Sequence, residues 1–300
     1  MSLCYDLHTH STMSDGSLSP AQLVESAARM QVDVLALTDH DTTEGLEQAE
    51  LAGRRHGVRL VPGVEVSVTW NGMTIHIVGL NIDPSHTELR RGLAAQRAFR
   101  EWRAEEIGRR LEKVGIGGAY QAARCYAQGP IIGRTHFARF LVDQGYAPDM
   151  RTVFKRFLVK RKPGHVRGEW ANLEQVLGWI HAAGGEAVIA HPARYRLSAT
   201  RLRHLIGEFI ECGGVAMEVV SGSHSPNDSL AMAGYARRFG LLASCGSDYH
   251  GPENPWIELG GTAALPAGCT PIWKTASWRL YEEVQEGYPL QSDSERWPRG

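Results

Sequence analysis

A chain of 300 residues with 43% hydrophobic side chains is long enough to bury one large core or two ordinary ones. Its 32 basic and 33 acidic side chains leave a formal charge of -1, which excludes the global pull toward DNA or membranes that a strongly basic protein shows. Any affinity for phosphate must be local. The five cysteines (Cys4, Cys125, Cys212, Cys245, Cys269) are far apart and lack CxxC pairing, so they read as reduced thiols rather than a disulfide framework. With no basic-then-apolar leader and no apolar run of about 18 residues, the expectation is a soluble, cytoplasmic protein.

Leu3 to Leu7 is a short apolar segment that ends in His8 and runs into a polar loop, Ser11 to Ser17, so it predicts a strand followed by a loop. Ser19-Pro20-Ala21-Gln22 predicts a helix start, with serine as cap, proline at the first helical position and Gln22 completing a capping box. Val32 to Thr38 predicts a strand that runs straight into Asp39-His40-Asp41. A helix over Glu44 to His56, a strand from Arg59 to Val64 ending at Glu65, and a strand over Thr74 to Leu80 complete a first half. Strand alternating with helix predicts parallel βα units.

From about Pro84 to Trp170 the sequence turns charged and helical, with Phe99, Trp102, Ile107 and Leu111 as one expected buried stripe. The alternation then resumes. A helix over Leu173 to Ala183 precedes a strand from Ala187 to Ala190 that ends at His191. A helix around Arg201 to Cys212, a strand over Val215 to Val220, a helix opening at Ser225-Pro226 and a strand from Leu241 to Cys245 lead to Asp248 and His250. The expected architecture is a βα barrel built from residues 1–83 and 171–268. Residues 84–170 form a helical insertion over the active site, and the tail 269–300 has no assigned place.

Histidine, at 13 residues, is the unusual component, and several histidines end apolar runs. His8, His10, His40, Glu65, His191, Asp248 and His250 fall at or just past the C-terminal ends of predicted strands, while His76 lies within one. In a parallel barrel every strand delivers its last residues to one face, so these side chains would converge. His8 and His10 would point the same way, because side-chain direction in a strand alternates with period two. A lone strand-end histidine usually packs rather than ligates; the joint pattern is what points to metal. His56, His86, His165, His181 and His204 lie in polar or helical contexts and read as ordinary residues.

His8-Thr9-His10-Ser11 with Ser14-Asp15-Gly16, Leu37-Thr38-Asp39-His40-Asp41, Gly63-Val64-Glu65, His76, Ala190-His191-Pro192 and Gly246-Ser247-Asp248-Tyr249-His250 together resemble the successive motifs of the PHP family, the polymerase and histidinol phosphatase domain. The resemblance spans both halves of the chain and skips the insertion. It implies a distorted (β/α)7 TIM-like barrel carrying two or three divalent metal ions, Mn2+ ahead of Fe2+ or Zn2+. By the same resemblance His8, His10, Glu65 and Asp248 would hold one ion, Glu65, His76 and His191 a second, and Asp15, His40 and His250 a third. Asp15 is a departure, since many trinuclear members have histidine there, and a carboxylate favours a harder ion.

The implied reaction is phosphoester hydrolysis by a hydroxide bridging the ions, with Glu65 and His191 among the catalytic residues. Neither a Gly-x-Ser-x-Gly elbow nor a Walker loop occurs, so serine-nucleophile and nucleoside-triphosphatase readings lack support. C–N hydrolysis of the amidohydrolase kind stays open on the ligands alone. Phosphate is favoured by Arg194, three residues after His191, and by the donor cluster Gly133-Arg134-Thr135-His136. Ser223 is expected to contact phosphate and His224 to give a proton to the leaving oxygen.

The motif order and the insertion are most similar to stand-alone bacterial members of the nucleotide bisphosphate phosphatase and 5'-to-3' exoribonuclease type. That implies hydrolysis of adenosine 3',5'-bisphosphate to AMP, or degradation of short 5'-phosphorylated RNA. The near-zero charge argues against long duplex nucleic acid, and no membrane or obligate protein partner is expected. The alternatives are a histidinol-phosphate phosphatase and a non-catalytic metal-binding domain.

Overall fold

The computed structural model describes residues 3–275 and Trp278. Seven strands form one sheet whose spatial order follows the chain: β1 (Tyr5–Thr9), β2 (Val34–Leu37), β3 (Arg59–Trp70), β4 (Met73–Leu80), β5 (Glu186–Ile189), β6 (Ala216–Ser221) and β7 (Leu242–Gly246). The amide of Asp248 donates to His8 O at 2.9 Å and that of His10 to Tyr249 O at 2.9 Å, which draws the segment after β7 onto β1 and nearly closes the barrel. The expected distorted barrel is therefore what forms.

The expectation of parallel units throughout fails at one strand. β4 runs antiparallel to both β3 and β5, and the remaining pairs are parallel. The cause is local. Asn71 and Gly72, between two apolar runs, both adopt positive φ (45° and 75°), as a two-residue hairpin turn of the primed kind requires. β3 turns back on itself instead of crossing over through a helix.

The helices cover the barrel through the capping signals and apolar stripes read from the sequence. At α1 (Pro20–Arg29) the Ser19 side chain accepts from Gln22 N and the Gln22 side chain accepts from Ser19 N. With α2 (Leu46–His56) it buries Leu23, Val24 and Ala49 against Leu35 and Leu60. On the opposite side α7 (Leu173–Ala182), α8 (Ala199–Glu211) and α9 (Pro226–Phe239) bury Ile180, Phe209 and Ala233. The barrel interior is filled by Leu7, Val34, Val61, Leu80, Val188 and Ala216, and Ile272 and Trp278 join this cluster. The tail thus has a place as far as Thr275, where Ala243 N donates to Thr270 O at 2.8 Å and Trp273 stacks on Tyr5. Apart from Trp278, residues 276–300 lie outside the described residues.

Residues 87–158 carry four helices, α3 (Thr87–Glu112), α4 (Ala119–Tyr126), α5 (Arg134–Asp143) and α6 (Met150–Val153), the last continued by a π-helical turn. From Ala104 onward they build a core of their own around Ile107, Leu111, Phe137 and Leu158, whereas Leu89 and Leu93 pack on the barrel. The expected stripe holds at Ile107 and Leu111 and fails at Trp102, which is 47% exposed. Gln96 and Arg100 take the buried face instead. Gln96 donates to Ser67 O at 2.6 Å, and Arg100 donates to Asp41 Oδ2 at 2.6 Å and Ser67 Oγ at 2.9 Å. A polar helix face can be buried when barrel groups satisfy it.

The Arg100–Asp41 pair, with side chains 9% and 0% exposed, joins the insertion to the barrel. Removing one partner leaves a buried charge alone, so Arg100→Ala is expected to cost about 3–5 kcal/mol, and replacing both residues with leucine markedly less. Urea unfolding curves of the two variants decide; equal losses would show that the pair contributes only packing.

Candidate metal centre

β1 brings His8 to the rim one residue before it ends at Thr9, and His10 follows on the same side, as alternation requires. Gly246 permits the approach, since a Cβ there would meet His8 Cβ at 2.3 Å. Gly16 closes the loop after His10, where a Cβ would sit 2.5 Å from His10 O. The two Nε2 atoms of His8 and His10 lie 3.1 Å apart. β3 delivers Glu65, fully buried, with Oε1 at 2.8 Å from His76 Nδ1 and 3.0 Å from His191 Nε2, and Oε2 at 2.7 Å from His40 Nδ1. Because β4 runs backwards, His76 near its start reaches the same rim as the strand ends.

The loops after β5 and β7 supply the rest. His191 has φ 31° and Asp248 φ 57°, a left-handed backbone that side chains other than glycine's adopt at a cost. Backbone hydrogen bonds hold both there: His191 N donates to Glu218 Oε2 at 2.6 Å, and Asp248 N to His8 O at 2.9 Å. Asp248 Oδ1 lies 3.3 Å from His10 Nε2, and Asp15 Oδ1 lies 3.2 Å from His250 Nε2.

All nine metal-capable side chains singled out in the sequence therefore stand at one rim. Three sets have ligand atoms within 4.8 Å of one another: His10, Asp15, His40 and His250; His8, His10 and Glu65; and His40, Glu65 and His76. His40 stands in two of them, beside Glu65 as well as Asp15. Asp15 Oδ1, His40 Nδ1, Glu65 Oε2 and His191 Nδ1 are buried and make no hydrogen bond among the described residues. Leaving one such atom unsatisfied costs about 1–3 kcal/mol. Four in one place, with imidazole nitrogens facing carboxylate oxygens and each other, form a donor set that fits divalent ions.

The electrostatics agree. Burial works to raise the pKa of Glu65, but His76, His40 and His8 outweigh it and hold the carboxyl well below its usual range. Asp15 is held down against burial by His250 and His40, and Asp248 by His8 and His10. Without metal the counter-charges are protons: Glu218, Glu65 and Asp248 overcome burial to raise His8, and Asp15 overcomes it to raise His250 to about 9. A cation would take the place of those protons.

A supporting shell was missed in the sequence. Glu218, 1% exposed in the middle of β6, accepts from His8 Nδ1 at 2.6 Å and from the His191 amide, fixing the orientation of one and the backbone of the other. Its signal was a lone acid in the apolar stretch Ala216–Ser221. Asp39 accepts from Ser11 N, Ser11 Oγ and Ser14 Oγ and so pins the loop that carries Asp15. Tyr195 OH donates to Ala190 O and accepts from His76 N.

The expected phosphate contacts divide. Arg194 lies over the cluster, 58% exposed, with NH1 3.0 Å from Asp248 Oδ2. Arg134 is half-buried over the Phe154 ring and has neither a hydrogen bond nor an ion pair among the described residues. Burial, then the charges of Arg194 and Arg100, push its pKa down against the opposing pull of Asp15, so positive charge prevails there. His136 is 1% exposed, its Nδ1 accepting from Gly133 N at 3.0 Å, so it caps α5 rather than facing the site. Thr135 instead reaches the centre, donating to Asp15 Oδ2 at 2.8 Å. His224 uses both ring nitrogens on backbone, Nδ1 with Val219 O at 3.2 Å and Nε2 with Ala193 N at 3.4 Å. That geometry ties down the turn bearing Arg194 and leaves no free proton for a leaving group. Ser223 is exposed, with Ser221 Oγ at 3.4 Å.

Residues 6–143 match the PHP domain. A 3',5'-nucleoside bisphosphate phosphatase of Chromobacterium violaceum is 48% identical over 276 residues, 92% of this chain and 97% of its own length. The 5'-3' exoribonuclease Rnm of Escherichia coli is 48% identical over 283 residues, 94% of each chain. A solved structure of an amidohydrolase from Chromobacterium violaceum, with bound sulfate and no metal, aligns with a TM-score of 0.87 at 46% identity, covering 97% of this chain and 99% of that one.

Two predictions follow from the geometry of the cluster. Burial pushes the pKa of His10 down to about 3 and that of His76 down to about 4. In metal-free protein the unfolded chain therefore binds protons that the folded chain refuses between pH 6.5 and about 4, so stability falls with acidification across that window. His76→Gln is expected to flatten this fall, as read from urea midpoints at pH 7 and pH 5; an unchanged difference would assign the effect elsewhere. Glu218→Gln keeps the shape but loses the charge behind His8. It is expected to weaken retention of added Mn(II) about tenfold to hundredfold, measured by chelator competition, while an unaltered titration would leave Glu218 a packing role only.

Proposed function

Because the chain belongs to the PHP domain family of metal-dependent phosphoester hydrolases, we propose that it removes the 3'-phosphate of nucleoside 3',5'-bisphosphates, converting adenosine 3',5'-bisphosphate to AMP and phosphate. The same cleavage of a 3'-oxygen–phosphorus bond would release nucleotides from the 5' end of short phosphorylated RNA, in keeping with the 5'-3' exoribonuclease name of the Escherichia coli relative. The observation that carries the reading is Arg134, an unpaired guanidinium crowded by Arg194 at the edge of a metal-ligand cluster. A second phosphate would neutralise that excess, and a guanidinium fork matches its oxygens.

In this reading His8, His10, Glu65 and Asp248 would hold one ion, Glu65, His76 and His191 a second, and Asp15, His40 and His250 a third, a mixed imidazole and carboxylate set that accepts Mn2+. When bound, such ions supply a nucleophile from water at neutral pH and offset charge on the phosphoryl oxygens. Glu65, facing both sides of the cluster, keeps the sets in fixed relation. Arg134 grips the phosphate that is not cleaved, and Arg194, tethered to Asp248, contributes positive charge beside the reacting one.

Purified enzyme with Mn(II) is expected to release phosphate from adenosine 3',5'-bisphosphate and nucleotides from short 5'-phosphorylated RNA; absence of both activities sinks the reading. Arg134→Ala should raise KM for the bisphosphate about tenfold to hundredfold, as loss of a charged hydrogen bond worth about 1.5–3 kcal/mol predicts. It should affect adenosine 3'-monophosphate far less, since that compound lacks the second phosphate. Equal losses on both would remove Arg134 from phosphate binding.

A further inference from the structure

The chain is neutral overall, yet between Met150 and Gly168 it carries seven lysines and arginines and no acidic residue. This stretch crosses to the β3–β4 turn, and the two enclose a cavity of about 460 Å³ lined by Gly72, Met73, Thr74, Lys160, His165 and Arg167. The volume lies within the range of about 300–1,000 Å³ typical of ligand sites. Gly72, at φ 75°, leaves the wall open: a Cβ there would come within 3.1 Å of the Arg167 guanidinium. Lys160 and Arg167 are exposed, and neither has a carboxylate partner among the described residues.

The cavity adjoins the metal centre. Thr74 on its wall is two residues before His76 on β4, roughly 7 Å along a strand. Positive charge is continuous between the two places. His165 feels Arg103, Arg134 and Lys160, and Arg103 in turn feels Arg134 and Arg100. Arg103 spends its one hydrogen bond on Val166 O and lies over the Trp170 ring, so no carboxylate offsets it among the described residues. His165, which its sequence context marks as an ordinary residue, stands in the middle of this track. An unpaired basic groove leading away from a phosphoester site is the footprint of a backbone with more phosphates than a nucleoside bisphosphate has.

We propose that this cavity is a subsite for a further phosphate of the substrate, beyond the two of a nucleoside bisphosphate, and so allows the enzyme to hold a short oligoribonucleotide. It rests on the phosphoesterase reading above. That phosphate could belong to the strand following the cleaved bond or to a polyphosphate at the 5' end, and the two are separable.

The test is the charge reversal Lys160→Glu with Arg167→Glu, both on the surface and outside the metal cluster. Steady-state kinetics in Mn(II) compare adenosine 3',5'-bisphosphate, a 5'-monophosphorylated pentaribonucleotide and adenosine 3'-phosphate 5'-triphosphate. Binding of a phosphorothioate-linked, 3'-fluorescein pentaribonucleotide is followed by anisotropy as salt is raised. The bisphosphate should change less than twofold. A KM increase of fivefold or more for the pentanucleotide, with weaker and less salt-sensitive binding, assigns the cavity to the following strand; an increase confined to the triphosphate assigns it to the 5' end. Unchanged kinetics on both, with unchanged anisotropy, overturn the proposal. Should wild-type enzyme turn over none of the three, the phosphoesterase reading fails, and anisotropy alone still decides the subsite.

Discussion

A carboxylate with no solvent contact is costly to bury unless opposite charge surrounds it, and Glu65 makes that constraint the organising fact of this barrel. Its two oxygens lie within 3.4 Å of ring nitrogens from five histidines, His8, His10, His40, His76 and His191, contributed by four strands and the segments that follow them. β3 brings it there by pairing with both neighbours: Glu65 N donates to Thr38 O at 3.0 Å, and Glu65 faces Val78 across the hairpin. Without the reversal of β4, His76 would end up at the far end of the barrel, and the second oxygen-facing set would lose a member. The unusual strand is therefore a requirement of the site rather than an irregularity of the fold.

Around that centre the protein spends its polar groups on backbone. Asp6 accepts from Ser247 N and Gly260 N, Asp41 from Ser67 N, Glu218 from His191 N, and Asp39 from Ser11 N. Each buried acid ties down a segment that carries or adjoins a metal-capable side chain. This explains how Asp41, His191 and Asp248 keep positive φ, a strain of about 1–3 kcal/mol each, at the places where the chain must turn a side chain inward. Rigidity of this kind suits a site whose ligand groups must stand at set positions before substrate arrives.

Most of the centre could be read in the sequence because its signals are local. A strand pattern ending in histidine, or a His-x-His pair, needs no knowledge of the rest of the chain. What escaped needed a partner. Glu218 looks like an acid misplaced in a strand until His8 and the His191 amide appear beside it, and Arg100 looks like a solvated helix residue until Asp41 does. His224 had the right place for a proton donor, but both of its nitrogens are committed to backbone, which no residue pattern discloses. The Asn71-Gly72 turn is a different case: Asn-Gly between two apolar runs is a local hairpin signal, and the expectation of parallel βα units passes over it.

The insertion reaches the ligand cluster directly. Thr135 donates to Asp15 Oδ2, Arg139 donates to Asp15 O at 3.3 Å, and Arg100 meets Asp41 beside His40. Asp15 thus owes its orientation to helices that lie outside the barrel, with Oδ2 engaged by the insertion and Oδ1 left facing His250 and His40. The Asp15 carboxylate therefore couples the set formed with His40 and His250 to the insertion. Any movement of α5 on the barrel would be felt first at the ligand set that Asp15 joins.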